Sequence, residues 1–531
     1  VGFVLQAGLV RDFPYGMAFS ALTLGAFYIG LASILWRHSA ASMRTLTESF
    51  LALGVVFATL AVPLALDGQW TAAVWAIEGA GLYWVGQRQH RKLPQVFGAL
   101  LQPAAGILFL PELSHYAAPW PWLNSHFVGC ALLAAAGIFL GYRAHRFSKW
   151  SHARALSLFM LIWGALWWLL GGYQQIDHHV PYDFKVAAGV AYLAMTAFVA
   201  EHAGARFQWT QGRNVALALL PMLAVIFAMR VEVAHHVFGS LGWAAWPTAL
   251  LVWFLILYQR DRSTIATPMW AHYAGAWLVG LIAVVEINWQ TNFLVDGGGD
   301  WARYGWGVVP AIALWIAVKA SRWNHWPFNV HQKIYRLYGG AGAAVIGALW
   351  LFASGGQAGD PAPLPYAPLL NPLDLSIAFF IVALIMWLAQ IRTNGELPIL
   401  FKDRSDLWWV GGGLFAWLNA MLLRSMHHYA DIPHTAPALF HSVLVQAALS
   451  LFWTVIAVAM MVYATRRGER TIWIAGAVLQ AIVVAKLFFL ELANTGTMAR
   501  IVSFIGVGIL LLAVGYLAPV PPRRAHQETD S

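Results

Sequence analysis

Charge is scarce in this sequence. Of its 531 residues only 10% are Asp, Glu, Lys or Arg, where a soluble domain carries about 25%. Too little polar surface is present to cover a water-soluble fold of this length, and 60% of the residues are apolar. Lipid tails tolerate apolar side chains on the outside of a fold, so the bilayer is the solvent this composition suits. Cysteine is nearly absent as well. Cys130 stands alone, which excludes a disulfide within the chain and any cysteine-based metal site. GxxxxGK[ST], GxSxG, HExxH and CxxC patterns are all missing, so no phosphate loop, nucleophile elbow or zincin helix can be assigned. A basic N-terminal stretch followed by a cleavage site is missing too. The chain starts at Val1 in sequence that is already apolar, so further chain ahead of it is expected.

What is present in quantity is apolar runs and tryptophan. The 29 Trp suit the membrane–water interface, where the indole ring sits among headgroups. A membrane-crossing helix needs about 20 mostly apolar residues. Runs approaching that length fall near 17–36, 49–65, 70–86, 95–111, 127–142, 154–171, 184–204, 215–231, 243–259, 270–288, 304–319, 338–354, 373–390, 407–425, 442–463, 471–492 and 498–518. The expectation is an all-α, polytopic integral membrane helical bundle of about 17 transmembrane helices. It fills residues 1–518 and leaves a short polar tail at 519–531.

The net charge of +9 does not point to nucleic acid, because the cations are spread over short connections rather than gathered in a basic domain. Their spread orients the chain. Alternate connections on one side hold 25 of the 32 Lys and Arg, from Arg37 and Arg44 to Arg523 and Arg524. Cytoplasmic loops are the basic ones, so that side is read as cytoplasmic, with the C-terminus on it. Arg11, Lys185, Arg230, Arg303, Arg424, Lys486 and Arg500 fall on the outer side.

Three His pairs mark outer helix ends: His178-His179, His235-His236 and His427-His428, with His434 and His441 beyond the last. Imidazole beside a carboxylate can carry protons near neutral pH or hold a metal. His178, His179, His235 and His236 are the metal candidates. The competing reading is that His merely suits the interface, since adjacent helical side chains diverge by about 100°. Charges inside apolar runs carry more information, because a charge at the bilayer centre costs roughly 2.5–3.5 kcal/mol on insertion scales and so faces the bundle interior or water. Glu78 lies mid-run, and Lys486 and Glu491 lie in the outer part of theirs. An outward-opening polar pocket containing Glu78, Arg424, His427, His428, Lys486, Glu491 and Arg500 is expected. Structural ion pairs and snorkelling side chains are the alternative. Small-residue clusters at Gly339-Gly-Ala-Gly342 and Gly411-Gly-Gly413 suit close helix approach.

Trp417-Leu-Asn-Ala-Met-Leu-Leu-Arg-Ser-Met-His-His-Tyr429, Lys486-Leu-Phe-Phe-Leu-Glu491 and the stretch from Ala499 to Pro519 resemble the bacterial predicted-membrane-protein family called domain-of-unknown-function family 2339. Trp75-Ala-Ile-Glu-Gly-Ala-Gly-Leu-Tyr-Trp84 resembles it too, so the likeness spans most of the chain. The resemblance implies a bacterial cytoplasmic membrane and brings no reaction, cofactor or site residue with it. Three functions compete: an enzyme or carrier handling an envelope glycan or lipid-linked sugar at the outer face, a transporter or flippase, and an envelope scaffold. An aromatic, His-rich outer surface above buried charge favours the first.

Overall fold

The computed structural model describes residues 15–39, 43–65, 68–114, 120–147, 152–234, 236–263, 265–295, 300–320, 322–396 and 405–487, with isolated positions 6, 10, 13 and 512. Among them the regular structure is helical and contains no strand. The chain divides into two compact units, 1–271 and 272–531.

The first unit holds α1 (Gly16–Ser39), α2 (Arg44–Ala65), α3 (Gly68–Arg88), α4 (Lys92–Phe109), α5 (Ser125–Phe147), α6 (Ala153–His179), α7 (Lys185–Arg206), the short α8 (Thr210–Val215), α9 (Leu219–Ala234) and α10 (Gly242–Asp261). Sequence neighbours pair: α1 with α2, α3 with α4, α5 with α6, while α7 packs on α10. The α5–α6 contact runs through facing glycines, since a Cβ on Gly137 would stand 3.2 Å from the Gly164 Cα. Without a hydrophobic drive between helices in lipid, such close backbone approach is a main source of attraction.

The second unit holds most of α11 (Met269–Leu294), then α12 (Gly305–Ala320), α13 (Gly340–Ser354), α14 (Pro372–Thr393), α15 (Ser405–Ala430), the short α16 (Ala436–His441), α17 (Val443–Arg467) and α18 (Arg470–Lys486). Its core gathers Leu314, Trp350, Ile377, Phe380 and Trp387. Here aromatic rings fill the notches that glycines leave. The Trp387 ring lies against Gly340, Trp277 against Gly342, Phe380 against Gly347 and Trp350 against Gly307, each where a Cβ would sit. At Gly340 and Gly342 the notch is thus filled by a ring from a neighbouring helix rather than by a close approach of helix backbones. Gly411 and Gly412 instead have nothing within 4 Å of a built Cβ, and only Gly413 meets a neighbour, Leu351.

Large apolar side chains cover the outside of both units. Leu100 is 62% exposed and Leu349 67%, the reverse of a water-soluble surface and the expected face toward lipid. Among the described residues eleven helices are long and apolar enough to cross a membrane. Sixteen of the expected runs coincide with helices, and the run at 498–518 lies outside the described residues. The difference from about 17 crossings has a physical origin. The apolar stretch of α2, Leu46–Ala61, is short, as is α12, and the chain that follows α18 lies outside the described residues. Polar residues dilute the others: Gln69, Thr71, Glu78 and Gln87 in α3, and Asn419, Arg424, Ser425, His427 and His428 in α15.

Candidate functional site

Among the described residues of the second unit, a buried polar cluster is built where α13 ends, α14 begins and α15 ends. Asn371 caps α14, its side-chain oxygen accepting the Asp374 N–H at 2.9 Å, and Pro372 follows at the first helical position. Both choices suit a helix start, and the acid in the first turn suits the positive end of the helix dipole. Capping places Asp374 inside the bundle, where it is fully buried.

Arg424, about five turns into α15, reaches the same point and is also 0% exposed. Its Nη1 donates to Asp374 Oδ1 at 2.5 Å, Nη2 to the Ser354 carbonyl at 3.0 Å and Nε to the Gln357 carbonyl at 3.2 Å. Trp417 Nε1, two turns earlier on α15, donates to the same carboxylate oxygen at 2.9 Å, and Asn371 Nδ2 donates to the other. A buried charge is tolerable only when opposite charge and hydrogen bonds replace water, and both conditions are met.

The connection between α13 and α14 folds over this pair. Gly359 takes φ +66°, and a Cβ there would lie 3.0 Å from Arg424 Cδ, so glycine meets both a backbone and a space requirement. The Gly359 N–H donates to Asp300 Oδ2 at 2.9 Å, tying in the turn Asp300–Arg303. One helical turn after Arg424, His428 Nε2 donates to the Ala358 carbonyl at 3.0 Å, and its ring stacks on Tyr366 with centroids 4.1 Å apart. His427 Nδ1 donates to the Ile432 carbonyl at 2.7 Å, and its ring is 5.7 Å from that of His434.

Several polar atoms around Arg424 are buried without a hydrogen-bond partner: the Tyr304 hydroxyl, Gln357 Oε1 and His434 Nε2. Burial holds His434 below the usual imidazole value, assisted by His427 and Arg424. His434 is thus a neutral, proton-accepting group at neutral pH.

Of the residues expected to form one pocket, Arg424, His427 and His428 come together. Lys486 is in the same unit but bonded elsewhere, its Nζ donating to the Gln446 carbonyl and Ser450 Oγ, each at 2.7 Å. Glu78 belongs to the first unit, where it accepts from Thr59 Oγ1 at 2.9 Å. Glu491 and Arg500 lie outside the described residues, as does His235. Among the described residues His178, His179 and His236 join no group of three ligand side chains close enough to hold an ion. Three cavities, of about 500, 590 and 890 Å3, are lined by neither Glu78 nor these histidines.

Asp374, Trp417, Tyr304 and Tyr366 complete the cluster without having been singled out from sequence. The Asn-Pro-x-Asp spacing at 371–374 was the available signal, since it marks a cap that turns an acid inward.

A family model described as "Predicted membrane protein (DUF2339)" matches residues 1–521. No curated protein and no solved structure matches the chain.

Proposed function

The chain belongs to this family of predicted membrane proteins, and from that premise we propose that it handles an envelope glycan or lipid-linked sugar at the outer face of the bacterial cytoplasmic membrane. The reading takes the Arg-rich connections, and with them the C-terminus, as cytoplasmic under the positive-inside rule. That orientation places the ends of α13 and α15, where Arg424, His427 and His428 lie, outside.

One observation carries the reading: the buried polar atoms of Tyr304, Gln357 and His434 that lack partners beside the Asp374–Arg424 pair. Groups of this kind normally find a partner, and hydroxyls of a sugar supply both donors and acceptors. The stacked Tyr366 and His428 rings offer the apolar face that a sugar ring covers, and His434 is neutral and able to accept a proton.

The test is complementation of a deletion strain, with lipid-linked sugars and surface glycan profiled by mass spectrometry. Wild-type protein restores the profile, while Tyr304→Phe and His434→Ala at normal protein levels leave a precursor accumulated. A profile that the deletion never alters removes the reading. An envelope scaffold is the second reading, and it is favoured by the protein partners on all three Arg424 nitrogens. A scaffold is expected to lose envelope integrity in Arg424 variants while Tyr304→Phe and His434→Ala behave as wild type.

A further inference from the structure

The first unit buries a second ionic cluster, and it is not neutral. Glu201 on α7 is 0% exposed and accepts from two arginines. Arg213, on α8, donates to Oε1 from Nε at 2.7 Å and from Nη2. Arg260, on α10 and 1% exposed, donates to Oε2 from Nη1 at 3.3 Å. One carboxylate between two guanidiniums leaves one positive charge in excess. Arg260 Nη1 also donates to the Arg213 carbonyl at 3.1 Å, and Nη2 to Asn214 Oδ1 at 2.8 Å. Its Nε–H has no hydrogen-bond partner.

Arg260 lines an open cleft of about 590 Å3 with both polar and apolar walls. Arg260, Asn214 and Thr210 supply the polar part, and Leu217, Pro221 and Trp270 are among its apolar residues. We propose that this cleft binds an anionic phospholipid. Its phosphate oxygens take the unused Nε–H of Arg260 and the remaining Nη2 hydrogen, and an acyl chain lies along the apolar part. A guanidinium edge matches phosphate geometry and gives a strong charge-assisted bond. The phosphate charge offsets the excess cation, which is otherwise costly near hydrocarbon. Basic pockets between membrane helices on the cytoplasmic side recognise anionic headgroups in this way, and Arg260 falls on the Arg-rich side of the chain.

The experiment uses the purified chain in neutral detergent, titrated with phosphatidylglycerol, phosphatidylcholine or inorganic phosphate, and reads lipid retention by native mass spectrometry together with thermal stability. Phosphatidylglycerol is expected to be retained and to raise the melting temperature, with phosphatidylcholine at least tenfold weaker. Arg260→Met removes the cation but leaves the Arg213–Glu201 pair balanced, and it should lower phosphatidylglycerol affinity at least tenfold. Ala218→Trp fills the apolar part from an exposed position and should weaken lipid binding with Arg260 intact. It decides the matter alone if the Arg260 variant does not fold. Equal retention of both lipids by wild type, or unchanged phosphatidylglycerol affinity in whichever variants fold, overturns the proposal. So does stabilisation by inorganic phosphate that matches phosphatidylglycerol and persists in Ala218→Trp, which would mean a free anion is the ligand.

Discussion

Arg424 and Asp374, 50 residues apart in the chain, meet at 2.5 Å with neither side chain touching solvent. Three helix ends and a 17-residue connection converge on that contact. The guanidinium fastens the carbonyls of Ser354 and Gln357, and the carboxylate takes the Trp417 and Asn371 side chains.

Removing one member should therefore cost far more than removing both. Arg424→Met leaves a buried carboxylate unpaired and is expected to destabilise by roughly 3–5 kcal/mol. Combining it with Asp374→Asn should recover a large part of that loss. Unfolding in mixed micelles of increasing denaturing detergent measures each single variant and the double, and a double-variant loss equal to the sum of the two single losses would show that the pair is not coupled.

His434 makes stability depend on acid. Its folded value is depressed, chiefly by burial, so the unfolded chain binds the proton more tightly. Stability is then full above the ordinary imidazole value of about 6.5 and declines as pH falls through and below it. Melting temperatures between pH 8 and pH 5 should fall on the acid side, and His434→Gln should flatten part of that slope. A slope that His434→Gln leaves unchanged would place the acid sensitivity elsewhere.

Gly359 should resist substitution. Alanine there must hold φ near +66° and press on Arg424 Cδ, and the backbone penalty alone is about 1–2 kcal/mol. Hydrogen exchange at residues 355–371 should accelerate in Gly359→Ala, with the faster exchange centred on the Gly359–Asp300 hydrogen bond. Replacing Gly395, also at positive φ but with nothing within 4 Å, should cost only the backbone part.

Glu201→Gln leaves Arg213 and Arg260 side by side without their carboxylate. A loss of roughly 3–5 kcal/mol is expected, with faster exchange in α7, α8 and α10. Protection of those helices at wild-type level would show that other groups balance the two guanidiniums.

The helices were legible because lipid imposes a strict length and composition on anything that crosses it. Their number was less so. Arg424 and its neighbours lower the apolarity of α15 while facing inward, and a one-dimensional reading cannot tell an inward charge from a surface one. Arg424 stood out as a charge in an apolar run, but its partner did not. Asp374 looks like an ordinary acid at a helix start, and only the fold brings it across to α15. Glu201, Arg213 and Arg260 were harder still, because each lies close to connections where charge is commonplace. Gly339–Gly342 and Gly411–Gly413 read alike, yet rings fill the first and little touches the second. The difference lies in which helix faces them, which composition does not encode.

The rings seated in Gly340, Gly342, Gly347 and Gly307 make each helix pair a keyed joint. Sliding or turning one helix by a single residue would drive an indole or phenyl into a neighbouring Cβ. Alignment across the second unit is thus held by shape, which neither ionic strength nor pH weakens, so its ionic groups need not act as the only pins and are free to respond to their surroundings.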